Sequence, residues 1–183
     1  MNLKENQYFG ITTESLRTEN FTISMTNHSA NSTISLHAHN KPYLCLLAYG
    51  SYKEESNIID VISQGEVLYR VANYEHSNSF SNKGGLCLNI EMNDYEQFIT
   101  LNELHLPNKL SKQKAVIELY KLLYGLKHGL PNDIINIYCY ESMIAVINIF
   151  NSKGDLNWVK KVKERINDNP LETISLDKLS IEF

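Results

Sequence analysis

The chain has 183 residues, of which 43% are hydrophobic and 21% charged, a composition typical of one folded domain with at most a short appendage. With 17 Lys and Arg against 21 Asp and Glu, the net charge is -4, which argues against the whole chain being a nucleic-acid-binding module, because such modules are usually basic. The sequence lacks an apolar run of about 18 residues and a basic start followed by an apolar stretch, so we expect a cytoplasmic protein with neither a membrane span nor a secretory signal.

Residues 20–92 predict β-structure. Short runs of alternating apolar and polar residues are separated by turn signals, among them Gly50 and the glycine-containing stretch 82–85. Many short strands at this spacing favour an antiparallel sandwich or barrel. The predicted strands are 21–25, 33–37, 43–49, 58–62, 66–71 and 86–90.

The hydrophobic period becomes helical after these strands. Ser111 can cap a helix that runs to about Lys127, and a second helix begins at Pro131 or Asn132 and runs to about Asn151. The second helix has a wider apolar arc than a surface helix needs, so it is either sandwiched inside the domain or covered by another chain, and the pattern leaves both open. For the second case, the candidate homodimer residues are Ile135, Tyr138, Met143, Val146, Ile147 and Phe150.

The C-terminal residues differ in character from the rest. Residues 151–154 are predicted to be a linker, and Asp155 can cap a third helix over 156–167. A further helix begins near Ser175 and reaches the last residue within two turns, which is marginal for a helix alone. We therefore expect the chain to be a truncated form of a longer protein.

Three cysteines are present: Cys45, Cys87 and Cys139. Their odd number, wide spacing and apolar neighbours do not fit a disulfide framework or a zinc ribbon. We expect three buried thiols in a reducing cytoplasm.

Histidines form the pattern that indicates chemistry. His37 and His39 stand at positions i and i+2 of a predicted strand, so they point to the same face. With His76 from a neighbouring strand they could form a metal site inside a barrel. The alternative is that the three histidines line an effector cavity or make hydrogen bonds in the core.

These residues resemble the cupin family. In its first motif a glycine precedes an H-x-H pair, which is followed by a glutamate and a second glycine; His37, His39 and Gly50 match, whereas Tyr43 stands at the glutamate position and Asn31 at the first glycine. The resemblance implies a metal held by histidines without the carboxylate, a set that suits zinc better than iron or manganese.

The second cupin motif is matched in part. Gly65 and His76 have the expected spacing, but Val71 and Asn73 replace a proline and a glycine. All three histidine positions of the family are therefore present, and the carboxylate position is not.

A closer resemblance is to the AraC family of transcription regulators. Residues 39–54, 65–70, 76–80 and 86–91 are similar to its N-terminal sensor cupin, and residues 156–183 resemble the opening of its DNA-binding domain. The fold implied is mainly β with α: a cupin-like antiparallel β-barrel followed by an α-helical pair and a short helical tail.

This resemblance implies a ligand-sensing and dimerising part of a DNA-binding regulator. Residues 1–92 would be the effector-binding barrel, 93–152 a helical dimerisation segment, and 153–183 a linker with the first helices of an incomplete helix-turn-helix domain. The effector would be a small molecule such as a sugar or an aromatic metabolite. Its candidate contacts are His37, His39, Tyr43, Tyr52, Tyr69, His76 and Phe80.

On this interpretation the chain is not an enzyme, and no cofactor is required, although a divalent metal at His37, His39 and His76 stays open. Promoter DNA would be contacted only in the full-length protein, with phosphates near Lys160, Lys161 and Lys163; the alternative is that these lysines form a solvated helix face. Two other functions are a metal-dependent cupin enzyme, such as a dioxygenase or isomerase, and a metal-free binder of a small metabolite.

Overall fold

The computed structural model describes residues 2–3, 7–93 and 113–154. The described part consists of an antiparallel sheet followed by two helices. The strands are β1 (Asn2–Leu3), β2 (Ile11–Arg17), β3 (Phe21–His28), β4 (Thr33–His39), β5 (Tyr43–Glu55), β6 (Ile59–Ser63), β7 (Val67–Arg70) and β8 (His76–Met92), and the helices are α1 (Gln113–Lys127) and α2 (Asn132–Gly154).

The long strands β5 and β8 form the centre of the sheet. β8 pairs with β3, β4 and β5, β2 pairs with β3 at one edge, and β6 and β7 pair with opposite ends of β5. Every described pairing is antiparallel except the short parallel contact of β1 with β4. The predicted fold, mainly β with a following helical pair, is confirmed, and the predicted helical tail lies outside the described residues.

Strand β2 was not predicted from the sequence. Among the described strands it pairs only with β3, and nearly all its side chains are exposed. It therefore lacks the alternation of buried and exposed side chains that marks a half-buried strand. An edge strand of this kind is held by backbone hydrogen bonds, which the side-chain pattern does not report.

The prediction of turns at Gly50 and at the stretch 82–85 is wrong. Gly50 lies inside β5, and the stretch lies inside β8. Gly50 has φ +86° and Gly84 has φ +69°, and the register between the two strands shifts on either side of Gly50. A Cβ on Gly50 would lie 2.0 Å from the carbonyl oxygen of Gly84. The glycines therefore allow two long strands to bend and approach each other without ending them.

The sheet has two buried faces, as the apolar run 43–49 predicted. Tyr43 and Cys45 point into the interior with a cluster of aromatic and aliphatic side chains, whereas Leu44 between them lies on the opposite face and is also buried. The helices cover part of that outer face, where the ring of Tyr140 in α2 contacts Phe21 of β3 at a centroid distance of 5.0 Å.

Helix α2 buries one side and exposes the other. Three of the candidate homodimer residues are buried within the chain itself, namely Ile135, Met143 and Val146. Their side chains are therefore not exposed for contact with a partner. Tyr138 is half-buried, and the side chains of Ile147 and Phe150 lie outside the described residues. Among the described side chains of α2, the exposed apolar ones are Ile134, Ile137 and Ile144.

Helix α2 also continues to Gly154, so the predicted linker 151–154 is helical. No described helix has the length and apolar character to cross a membrane.

Candidate metal centre

Three buried histidines meet at one end of the sheet interior. His37 and His39 lie on β4, and His76 is the first residue of β8, where it pairs directly with His37. One ring nitrogen of each lies within 4.8 Å of one from each of the others. The pairing register of two strands therefore brings together the residues that the sequence predicted as a metal site.

Backbone carbonyls orient two of the rings. Nδ1 of His37 donates to the carbonyl of Ser35 at 2.9 Å, and Nδ1 of His76 donates to the carbonyl of Tyr74 at 3.1 Å. A carbonyl can only accept, so each Nδ1 carries the proton and each neutral ring has its lone pair on Nε2. Outer contacts of this kind hold metal-binding histidines in their tautomer.

His39 supplies the third nitrogen. Its Nδ1 is buried and has no hydrogen-bond partner among the described residues. A buried polar atom without a partner destabilises the fold unless something binds it, and a metal ion is one such partner.

All three imidazoles are neutral at physiological pH. Burial lowers the pKa of His39 to about 4 and that of His76 to about 3, and it also lowers the pKa of His37. Neutral imidazoles have lone pairs ready for a metal, so binding at pH 7 needs no proton to leave these rings.

The donor set fits a metal ion that accepts nitrogen ligands. Three histidines with an open fourth position form a known arrangement for catalytic zinc. Within the described residues, no Asp or Glu belongs to the same group of donor atoms. Glu54, which lies further along β5, is buried and forms an ion pair with Arg70, whose guanidinium also stacks over Tyr74 at 4.9 Å.

The interior next to the histidines is a cavity of about 40 Å³. This volume accommodates an ion with a few water-sized ligands, whereas sites for drug-sized molecules measure about 300–1,000 Å³. The cavity lining includes six of the seven predicted effector residues, namely His37, His39, Tyr43, Tyr52, His76 and Phe80.

Tyr69, the seventh, does not line this cavity. It pairs with Leu44, so it stands on the outer face of the sheet. The strand 66–71 was predicted, but the face that each residue takes depends on its register against β5.

Several cavity residues were not predicted. Tyr8 and Phe9 cover the histidines, with ring centroids 5.0 Å from His39 and 4.9 Å from His37. His28 stacks on Phe80 at 4.2 Å and burial lowers its pKa to about 4. Phe9 and His28 belong to no motif, and only the long-range pairing of the strands brings them here.

This geometry contradicts the prediction that the chain is not an enzyme. Three buried histidines lie close enough together to hold a metal, and catalytic metal sites use the same set of ligands. An enzymatic function is therefore compatible with the chain. The prediction that left a divalent metal open is confirmed by the same group.

No protein-family model matches the sequence, and no curated protein is significantly similar to it. Among solved structures, the chain is similar to a cupin domain from Bordetella pertussis Tohama I, with 17% identity, a TM-score of 0.41, and coverage of 49% of this chain and 100% of that one. An RmlC-like cupin from Shewanella frigidimarina has 15% identity, a TM-score of 0.40 and coverage of 46% and 77%. A single-substitution variant of oxalate decarboxylase from Bacillus subtilis has 16% identity, a TM-score of 0.38 and coverage of 47% and 29%. Each alignment spans about half of this chain, and nothing about its activity follows from them.

Proposed function

We propose that the sheet interior binds one first-row divalent metal ion through His37, His39 and His76, and that this site binds or transforms a small molecule. The observation that carries the proposal is the meeting of three buried imidazoles, two of them oriented by backbone carbonyls and the third with an unpartnered nitrogen. A bound ion of this kind supplies Lewis acidity and lowers the pKa of a coordinated water.

The chain's own residues set the conditions at the site. His37 and His76 present Nε2 because their Nδ1 protons are held by Ser35 and Tyr74. The rings of Tyr8 and Phe9 lie over the cluster and limit the ligand to a few non-hydrogen atoms while they stay in place. The geometry therefore favours small anions or water over a sugar.

Elemental analysis of protein purified without an affinity tag tests this proposal. We expect close to one equivalent of zinc, iron or manganese per chain, and its loss in His39→Ala. His28→Ala is the matched control, because His28 is a buried histidine of the same cavity that does not belong to the group of three. His28→Ala should keep the metal.

Absence of metal from the wild-type protein, even after incubation with zinc or iron(II), would contradict the proposal. Equal metal content in wild type and His39→Ala would place the ion elsewhere. Circular dichroism of both variants shows whether each is folded, so that metal loss in an unfolded chain is not counted.

A second candidate function is the ligand-sensing and dimerising part of an AraC-type regulator. The exposed apolar residues Ile134, Ile137 and Ile144 of α2 favour it, since a monomer gains nothing by exposing them. On this proposal residues 1–92 would be the effector-binding barrel, 93–152 the dimerisation segment, and 153–183 the linker with the first helices of a DNA-binding domain. DNA phosphates would be contacted by Lys160, Lys161 and Lys163, which lie outside the described residues.

Light scattering coupled to size-exclusion chromatography tests this second function. We expect a homodimer that Ile137→Glu with Ile144→Glu converts to a monomer, because charges would be buried at the contact. A wild-type monomer at high micromolar concentration would contradict it.

A further inference from the structure

A phenol stands beside the three histidines. The hydroxyl of Tyr43 lies 3.4 Å from Nε2 of His76 and donates to it, since Nδ1 of that ring already carries the proton. The ring of Tyr43 also lies 4.6 Å from that of His39, and the side chain is only 6% exposed. Tyr43 therefore reaches the same point as the imidazoles.

The distance from Tyr43 to His76 suits two ligands of one ion. In a tetrahedral site with bonds of 2.0–2.1 Å to nitrogen and oxygen, two ligand atoms are about 3.3–3.4 Å apart. The measured separation of 3.4 Å agrees with this value. The three imidazole nitrogens lie within 4.8 Å of one another, so their separations reach beyond this tetrahedral value.

The charges of the site favour a fourth ligand with a negative charge. Three neutral imidazoles bring none, and no Asp or Glu of the described residues joins their group. Of the buried carboxylates of β5 and β8, Glu54 is paired with Arg70 and Glu91 accepts a hydrogen bond from the hydroxyl of Tyr8 at 3.4 Å. An ion buried there without an anionic ligand keeps its full charge in a medium of low dielectric constant, which is costly.

We infer that the phenolic oxygen of Tyr43 is the fourth protein ligand of the metal and takes the place of a carboxylate, with a fifth position left for the water or small molecule of the proposed function. The inference rests on the proposed function, because it requires a metal on the histidines. As the metal–oxygen bond forms, the O–H bond of Tyr43 breaks, its proton leaves to solvent, and the hydrogen bond to His76 is replaced by shared coordination.

The experiment uses iron alone as the probe. Metal-free wild-type protein is loaded with iron(II) under nitrogen and exposed to air, so that dioxygen oxidises the bound ion to iron(III). Iron content is measured on the same sample as the visible and resonance Raman spectra. We expect one equivalent of iron, a visible phenolate-to-iron(III) charge-transfer band, and enhanced tyrosinate ring modes.

Three variants assign the band. Tyr43→Phe should keep close to one equivalent of iron and lose the band, and Tyr43→Glu should do the same while restoring a carboxylate. Tyr52→Phe is the matched control, because Tyr52 is a buried tyrosine of the same strand and cavity, and it should keep the band.

Two failures can be distinguished. If wild-type protein binds no iron, the proposed function fails. If it binds one equivalent of iron without the charge-transfer band, or if Tyr43→Phe keeps the band, the metal site stands and Tyr43 is not its ligand.

Discussion

The buried ion pair of Glu54 and Arg70 gives a quantitative test of how the interior is held. Both side chains are almost completely buried, with Arg70 only 1% exposed. Arg70 also donates to the carbonyl of Tyr69 at 3.1 Å and stacks on Tyr74. Replacing Arg70 with Met keeps most of the volume and leaves the carboxylate of Glu54 buried without its cation.

The expected loss follows from this burial. Removing one partner of a buried pair costs about 3–5 kcal/mol, because the remaining charge is neither solvated nor paired. For a domain of this size, about 1 kcal/mol shifts the melting temperature by about 2–4 °C, so Arg70→Met should melt about 6–20 °C below wild type. The double variant Glu54→Leu with Arg70→Met should lose much less, since no charge is left behind.

The pH dependence distinguishes this reasoning from a simple packing defect. Burial raises the pKa of Glu54, and Arg70 opposes that rise, so Arg70→Met should raise the pKa further. A carboxyl whose folded-state pKa is raised favours the folded state at low pH and loses that contribution as pH rises through the folded pKa. The deficit of Arg70→Met should therefore be small near pH 4 and grow towards pH 7.

Urea unfolding of metal-free protein at several pH values measures the free energy of unfolding for wild type and both variants. A loss below about 1 kcal/mol in Arg70→Met at pH 7 would refute the argument, given the 3–5 kcal/mol expected. So would a deficit that does not change with pH, because an uncompensated buried carboxylate must respond to protonation.

Three further predictions concern other parts of the molecule. Gly65→Ala should cost about 1–2 kcal/mol of stability, because Gly65 has φ +85° although its surroundings are open. Gly50→Ala should cost about 1–3 kcal/mol more, because its Cβ would meet a facing carbonyl oxygen at 2.0 Å, and equal losses in urea unfolding would contradict this. Burial lowers the pKa of His28 to about 4, so the folded state loses stability as pH falls below the ordinary pKa of about 6.5. Between pH 7 and 5, metal-free His28→Asn should therefore lose about 2 kcal/mol less stability than metal-free wild type. Parallel curves of stability against pH for the two proteins would contradict this. Met143→Ala should destabilise the protein by about 2–5 kcal/mol, because Met143 is buried. Replacing its exposed neighbour Ile144 with Ala should cost no more than about 0.5 kcal/mol. The reverse order in thermal melts would mean that α2 presents its other side to the core.

Much of the site was predictable because its signals are local. His37 and His39 share a face since side chains alternate along a strand, and this requires no knowledge of the rest of the fold. The spacing to His76 is part of a motif, so a third donor could be named. The motif also marks Tyr43, which stands at its glutamate position, but only the folded chain shows that the hydroxyl of Tyr43, at the start of β5, meets His76, at the start of β8.

The cavity is a different case. Its small volume depends on Tyr8 and Phe9, which precede the predicted strands and carry no pattern that marks them as cavity residues. The expectation of a sugar-sized effector was therefore made without the side chains that fill the space. Tyr69 was assigned to the cavity for a different reason: its strand was predicted, but the register against β5 decides which face each strand residue takes.

The sequence by itself determined the elements and the chemical types: six strands of the sheet, two helices, and histidines suited to a metal. These follow from periodicity and residue chemistry, which act over a few neighbouring residues. Only the tertiary structure decided that Gly50 and Gly84 bend strands without ending them, and that Ile135, Met143 and Val146 face the chain's own core. Such outcomes depend on pairing and packing between residues far apart in the chain, and local pattern carries no information about which distant surface a residue meets.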